Sequence, residues 1–120
     1  MLAELGTLNE IAEAIESAKK ADKLLLLKFG AKWCKPCKQI APVIKQLVAA
    51  NAEVLTGYEI DVDVVVESLV HFNVQNLPTF IMIHNGDVVK VWTGANFQEA
   101  ESIIYNQVDA IRAPRNNQTK

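Results

Sequence analysis

The sequence is poor in residues that bind metals, with two cysteines, Cys34 and Cys37, and two histidines, His71 and His84, among its 120 residues. A zinc site takes four ligands, and these histidines lie far from the cysteines and lack the close spacing of a zinc-binding pair. We therefore expect no metal. A purely structural disulfide is also a weak explanation, because a bridge between Cys34 and Cys37 would close a loop too short to constrain the unfolded chain much.

Long apolar runs and an excess of positive charge are also absent. The most apolar run, residues 24–27, ends at Lys28, far short of the roughly 20 residues that cross a membrane. The net charge of -2 gives no sign of a nucleic-acid-binding surface. Residues 1–10 lack the basic region of a signal peptide. We therefore expect a cytoplasmic protein that binds neither nucleic acid nor membranes. In that reducing compartment a Cys-x-x-Cys pair is more often catalytic or metal-binding than structural.

The two cysteines belong to one motif, Trp33-Cys34-Lys35-Pro36-Cys37. Two thiols at this spacing can close a disulfide and open it again, and so store two electrons. At a helix N-terminus the unpaired N–H groups and the helix dipole stabilise a thiolate, an effect greatest at Cys34. Cys37 follows one turn later on the same face, and Pro36 suits the first helical turn. The motif therefore predicts redox chemistry at the start of a helix.

Hydrophobic periodicity and turn residues predict alternating helices and strands. A capping box at residues 7–10 begins the first helix, and Asn85-Gly86 predicts a hairpin turn. In order, the predicted elements are helix 7–20, strand 24–29, helix 34–51 with Pro42 inside it, strand 53–60, a short helix over residues 66–72 capped by Asp63, strands 80–83 and 88–92, and helix 97–111. We expect a single domain over residues 1–113 and a polar tail over residues 114–120.

The motif and the later residues closely resemble the thioredoxin family over residues 7–113. The resemblance rests on an ordered set of features: the Cys34–Cys37 motif, Pro42, the Leu77-Pro78-Thr79 step, Asn85-Gly86 and Gly94. It implies an α/β thioredoxin fold, in which helices flank both faces of a central mixed sheet of four to five strands. It also implies a cis peptide bond before Pro78, close to the two cysteines, and a monomeric protein.

The resemblance also implies a role for each matching residue. Cys34 is the attacking nucleophile and Cys37 the resolving thiol. The backbone of Leu77 offers hydrogen bonds to an extended substrate segment. An apolar ring for docking protein substrates is implied for Trp33, Pro36, Leu77, Gly94 and Ala95, since exposed apolar patches mark interaction surfaces. Trp33 could instead be half-buried scaffold.

Two departures from the family pattern concern charge. The usual glycine between the cysteines is Lys35, flanked by Lys32 and Lys38. These cations favour a Cys34 thiolate, select acidic partners, or form a solvated rim with no role. We therefore treat Lys35 as a residue that tunes the cysteine pair.

The second departure exchanges two charges. Where the family has a buried aspartate and a nearby lysine, this chain has Lys28 and Glu59. Burying a lone lysine is unfavourable, and a facing carboxylate offsets part of that penalty. We expect Lys28 and Glu59 to pair beneath the cysteines, with Glu59 or a neutral Lys28 relaying the Cys37 proton. In the alternative, Lys28 bends into solvent and a water molecule takes the proton.

The resulting functional prediction is a thiol-disulfide oxidoreductase that reduces protein disulfides through a mixed disulfide. It binds no cofactor itself, and the resemblance implies recycling by a flavoprotein of the thioredoxin reductase kind that uses NADPH. One alternative is an oxidase or isomerase of the same fold, because the residues between the cysteines tune the reduction potential. Another is a binding subunit that does not turn over. His71, His84 and Trp92 are assigned to scaffold or surface.

Overall fold

The computed structural model describes residues 2–112, and these form a mixed five-stranded sheet with four helices. The predicted boundary at residue 113 and the polar tail over residues 114–120 lie outside the described residues. Across the sheet the strands follow the order β1-β3-β2-β4-β5. Along the chain the elements are β1 (Ala3–Glu4), α1 (Leu8–Lys20), β2 (Leu24–Gly30), α2 (Lys35–Ala50), β3 (Leu55–Asp61), α3 (Ser68–His71), β4 (Thr79–His84), β5 (Asp87–Thr93) and α4 (Phe97–Arg112).

Strand β2 lies at the centre of the sheet, and all seven of its residues are buried. It runs parallel to β3 and antiparallel to β4, which confirms the predicted mixed sheet. A strand covered on both faces needs apolar residues at nearly every position, and residues 24–29 supply them except at Lys28. In the parallel register Lys28 lies opposite Glu59, and Gly30 lies opposite Asp61.

Side chains of β2 alternate between two hydrophobic clusters, one on each face of the sheet. Leu25, Leu27 and Phe29 join the cluster that contains α1 residues such as Ile11. Leu24 and Leu26 join the other cluster, with residues of α2 and α4 that include Ile40, Ile44, Ile104 and Val108. Helices therefore cover both faces, as predicted. By the same alternation, Lys28 faces the side of the sheet on which α2 packs.

The two edge strands of the sheet are β1 and β5, and only β5 was predicted from the sequence. Strand β1 was not predicted; its two residues pair with Tyr58 and Glu59 of β3. The hairpin between β4 and β5 was predicted, and its turn residues Asn85 and Gly86 have φ values of 55° and 85°. Positive φ at both central positions is the geometry that Asn-Gly favours in a two-residue hairpin.

Local hydrogen bonds decide where the helices begin. Thr7 caps α1 by accepting a bond from the Glu10 N–H at 3.0 Å, as the capping box predicts. The Glu10 carboxylate, however, accepts from the Gly6 N–H, at 2.6 Å. The predicted Asp63 cap is wrong: α3 begins at Ser68, after Glu67. The β-branched residues 64–66 disfavour an earlier start.

The helix that carries the cysteines is held to the sheet by buried apolar side chains, and Ile40 is 0% exposed. Replacing Ile40 by Ala removes buried methyl groups and leaves a cavity, so we expect the free energy of unfolding to fall by about 2–5 kcal/mol. Urea unfolding of the oxidised protein measures this change. Gln39→Ala, at the exposed neighbouring position, is the control and should change stability by less than about 0.5 kcal/mol. Equal effects of the two substitutions would contradict this packing.

Candidate active site

The cysteine pair lies where β2 delivers the chain to the first turn of α2. Cys34 is the N-cap of α2, and its Sγ accepts a hydrogen bond from the Cys37 N–H at 3.2 Å. Cys34 and Cys37 form a disulfide, with Cα atoms 5.3 Å apart. When the pair is reduced, a thiolate at the N-cap faces the unpaired N–H groups of the first turn, which stabilise the negative charge. The arrangement supports reversible thiol-disulfide chemistry.

The two sulfur-bearing residues line different spaces, although both are buried. Cys34 borders an open groove of about 660 Å³, whose walls also include Trp33, Pro36 and Leu77. Cys37 borders a separate cavity of about 290 Å³, together with Lys28 and Glu59. The groove can admit an outside segment to Cys34, whereas Cys37 borders the space that holds the ion pair. This difference fits a Cys34 thiol that reacts first and a Cys37 thiol that reacts second.

Trp33 stands exposed at the edge of the groove. The residue is 70% accessible, so the interpretation of Trp33 as half-buried scaffold is wrong. The indole Nε1–H donates a hydrogen bond to Asp63 Oδ2 at 2.8 Å. Sequence reasoning missed this role of Asp63, because the two residues are 30 positions apart and nothing local to either one marks the contact.

The Leu77–Pro78 peptide bond is cis, as the resemblance implied. Leu77 lines the groove beside Cys34, and Pro78 is buried. The Pro78 carbonyl accepts a hydrogen bond from the Gly94 N–H at 3.0 Å. The φ of Gly94, 96°, lies in the region that glycine tolerates best. This bond fixes Gly94 next to the cis-proline segment.

Of the predicted apolar ring, only part lines the groove. Trp33, Pro36 and Leu77 line the groove with Cys34. Ala95 borders a different, shallow pocket beside residues 96–98, and Gly94 is not part of the groove wall. The structure therefore brings together the residues around the motif and Leu77, and it places the Gly94-Ala95 segment outside that wall.

Lys28 and Glu59 form an ion pair behind the cysteines, with Lys28 Nζ 2.9 Å from Glu59 Oε2. The Lys28 side chain is 1% exposed and that of Glu59 is 27% exposed. The alternative in which Lys28 bends into solvent is therefore wrong. Burial of the lysine is tolerated because the facing carboxylate compensates its charge.

Gly30 keeps the space between the ion pair and Cys37 open. A Cβ atom at Gly30 would lie 3.2 Å from Cys37 Sγ and 3.8 Å from Lys28 Nζ, so the sulfur and the ammonium group share one corner of the cavity. The role of this glycine was not predicted, although a glycine at the end of an otherwise apolar strand signals a close approach.

Three exposed lysines surround the motif. Lys35 lines the groove, and Lys32 and Lys38 line the cavity beside Cys37. Within residues 2–112, none of the three has a carboxylate within 4.0 Å of its ammonium group. Carboxylates line the same two spaces: Asp63 in the groove, and Glu4, Glu59 and Asp61 in the cavity.

Neither a metal site nor a membrane span is found within the described part of the chain. Residues 2–112 contain no group of three or more His, Cys, Asp or Glu side chains placed to hold a metal ion. In the same range, no helix is both long and apolar enough to cross a bilayer.

Comparisons with known proteins agree on one family. The thioredoxin family model matches residues 8–108. Thioredoxin H4 of Arabidopsis thaliana is 33% identical over 99 residues, which cover 82% of this chain and 83% of that protein. A thioredoxin of Mycobacterium tuberculosis is 38% identical over 80 residues, covering 67% and 69% of the two chains. The X-ray structure of Fasciola hepatica thioredoxin superposes with a TM-score of 0.81 at 30% identity, covering 88% of this chain and 98% of that one.

The hydrogen bond between Trp33 and Asp63 leads to a test of the groove edge. In Asp63→Ala the indole loses its acceptor, so we expect Trp33 to rotate more freely and its fluorescence anisotropy to decay faster. The measurement is made in a Trp92→Phe background, because the chain has two tryptophans. Asp63→Asn retains an oxygen acceptor and serves as the control. An unchanged anisotropy decay in Asp63→Ala would show that the bond does not hold the indole.

Proposed function

The chain belongs to the thioredoxin family of thiol-disulfide oxidoreductases, and from this premise we propose that it reduces protein disulfides in the cytoplasm. In this proposal Cys34 is the nucleophile and Cys37 is the resolving thiol. The observation that carries the assignment of roles is the separation of the two residues. Cys34 borders the open groove, and Cys37 borders the separate cavity that also holds Lys28 and Glu59. An incoming disulfide can therefore reach Cys34 without contacting Cys37.

The reaction consists of two exchanges. The Cys34 thiolate attacks one sulfur of the substrate disulfide, that S–S bond breaks, and a mixed disulfide forms while the leaving sulfur takes a proton. The Cys37 thiolate then attacks Cys34 Sγ. The substrate leaves as a dithiol that has gained two electrons, and Cys34 and Cys37 are left as the disulfide. Another cycle needs an external reductant, for which we propose a flavoprotein reductase that draws on NADPH.

The groove supplies a docking place for the segment that carries the substrate disulfide. Trp33, Pro36 and Leu77 present apolar surface beside Cys34, and the backbone N–H and C=O of Leu77 are proposed to bond the extended substrate segment. Gly94, tied to Pro78, and Ala95 extend this surface beyond the groove wall. Lys35 is proposed to tune the pair, since a cation between the cysteines favours the thiolate.

The Lys28–Glu59 pair is proposed to take the proton that Cys37 must lose before it attacks. Lys28 Nζ and Cys37 Sγ lie at the same corner of the cavity, and Glu59 connects the pair to solvent because it is partly exposed. The acceptor is the Glu59 carboxylate, or Lys28 in its neutral form, because an ammonium group has no lone pair to take a proton. From Glu59 the proton passes to water. A group that accepts a proton in this way accelerates a step that otherwise depends on hydroxide or bulk water.

Turnover separates the reductase from a binding subunit of the same fold. Cys34→Ser should abolish catalytic reduction of insulin disulfides, because the nucleophile is gone. Cys37→Ser should form the mixed disulfide and fail to release it, so that a covalent adduct becomes visible by mass spectrometry. Rates in Cys34→Ser equal to those of the parent would favour the binding subunit.

The relay has its own pH signature. Lys28→Leu removes the lysine and leaves Glu59 without its partner in the ion pair. We expect turnover at neutral pH to fall by about 10²-fold and to recover at alkaline pH, where solution base can remove the proton. The measurement is the pH profile of insulin reduction, with folding checked by circular dichroism. Lys90→Leu, which replaces an exposed lysine on β5, is the matched control. Unchanged turnover of Lys28→Leu from neutral to alkaline pH would eliminate the relay.

A further inference from the structure

Asp61 is a buried carboxylate that the proposed reaction does not use. It is the last residue of β3, and it is 8% exposed. Side chains two residues apart on a strand point to the same face of the sheet. On β3, a Cβ atom at Gly57 would lie 2.9 Å from Val48 of α2, so positions 57, 59 and 61 all face α2. Asp61 therefore lies beneath the helix that carries the cysteines.

The missing side chain of Gly30 leaves a space that Asp61 and Cys37 share. Gly30 and Asp61 lie opposite each other in the parallel register of β2 and β3, and paired strands are about 4.8 Å apart. A Cβ atom at Gly30 would lie 3.2 Å from Cys37 Sγ. All three residues line the cavity of about 290 Å³. The Asp61 side chain therefore begins about one strand spacing from the place that the Cys37 sulfur contacts.

One carboxylate oxygen of Asp61 is bonded and the other is not. Oδ1 accepts a hydrogen bond from the Asp63 N–H at 2.9 Å, which holds the side chain at the turn after β3. Within residues 2–112, Oδ2 has no hydrogen bond, and the three ion pairs do not include Asp61. Asp61 thus brings to the cavity wall a buried carboxylate that no cation pairs with.

The other charged groups around the cavity are either paired or exposed. Lys28 of β2 lies 2.9 Å from Glu59 of β3, so these two charges largely offset each other. Exposed charged residues on three further segments, β1, the turn before α2 and α2 itself, also line the cavity: Glu4, Lys32 and Lys38. Water and salt screen charges at exposed positions. Among the cavity-lining residues that the structure describes, Asp61 is therefore the buried charge without a partner.

In the reduced protein, the surroundings of each sulfur decide which one carries the negative charge. Cys34 Sγ accepts a hydrogen bond from the Cys37 N–H at 3.2 Å, and its place at the start of α2 favours a thiolate. A carboxylate close to Cys37 disfavours a second anion there. Both influences place the negative charge on Cys34 and the remaining proton on Cys37.

We propose that Asp61 keeps the proton of the reduced cysteine pair on Cys37, so that Cys34 carries the thiolate that begins the exchange. Asp61 is thus a positioning residue, and its role rests on the proposed roles of the two cysteines. The proton stays on Cys37 Sγ while Cys34 attacks the substrate. It leaves for the Lys28–Glu59 pair only when Cys37 attacks the mixed disulfide.

The first test isolates Cys37 in a Cys34→Ser background, where it is the only thiol. Asp61→Asn removes the charge and keeps an oxygen that can accept the Asp63 N–H. The rate of alkylation by iodoacetamide is measured against pH. In Asp61→Asn we expect the midpoint to move to lower pH and the rate at neutral pH to rise by about fivefold, because more of Cys37 is thiolate. The plateau at alkaline pH should stay the same, which shows that access to the sulfur has not changed.

Two further variants separate the charge of Asp61 from other effects. Glu67→Gln is the matched control, since it removes an exposed carboxylate from the segment that follows β3, and it should keep the parent profile. Asp61→Ser also removes the charge and keeps a hydroxyl oxygen as acceptor, so it should shift the profile as Asp61→Asn does. Circular dichroism verifies that each variant is folded.

The second test keeps both cysteines. The reduced protein is labelled with less than one equivalent of iodoacetamide at neutral pH, and mass spectrometry gives the ratio of label on Cys34 to label on Cys37. We expect label mainly on Cys34 in the parent. In Asp61→Asn the ratio should fall by about threefold or more, because the charge is then less strongly confined to Cys34.

Two outcomes would overturn the proposal. Alkylation profiles of Cys37 that are the same with and without the Asp61 carboxylate would show that its charge does not act on the sulfur. An equal shift in Glu67→Gln would show that any lost negative charge has this effect. Neither assay involves turnover, so the reductase function is tested separately by insulin reduction. Label mainly on Cys37 in the parent would refute both the proposal and the assignment of Cys34 as nucleophile.

Discussion

The burial of β2 on both faces is the constraint on which the active site depends. All seven residues of the strand are buried, so each side chain must either pack or find a partner. Alternation sends Lys28 to the face on which α2 rests, and the strand ends at Gly30, immediately beside Cys37. The path of β2 therefore sets both positions: the end of the strand places the cysteines, and the alternation of its side chains places Lys28 beneath them.

Separation of the two cysteines into different spaces follows from the geometry of a helix start. Residues three apart lie on neighbouring parts of one helix face, so Cys34 and Cys37 are close enough to bond while facing different walls. Cys34 borders the groove formed with the Trp33 and Leu77 segments, and Cys37 borders the cavity with Lys28. Substrate exchange and proton removal can thus take place on opposite sides of one disulfide.

Much of this arrangement is predictable because it depends on local sequence. The Cys-x-x-Cys motif, the apolar run before it and Asn85-Gly86 each specify their own structure within a few residues. Strand β1 could not be predicted, because two residues are too few to show an alternating pattern. The contact between Trp33 and Asp63 depends on the turn after β3, which ends at Asp61. The Gly94-Ala95 segment follows the last residue of β5, Thr93, and lies outside the groove wall. Such features are set by tertiary packing, which single-sequence patterns do not encode.

The exchanged charges at positions 28 and 59 show how a core can tolerate such a change. The family pattern implies a carboxylate on β2 facing a lysine on β3, and this chain has the reverse. Since the two positions lie opposite each other in the parallel register, exchanging them keeps one cation and one anion face to face, and in this chain the two groups lie 2.9 Å apart. The net charge of the buried pair is unchanged, so the sheet is not obliged to rearrange. What changes is the strand that carries the cation: in this chain the lysine lies on β2, the strand that ends at Gly30 beside Cys37.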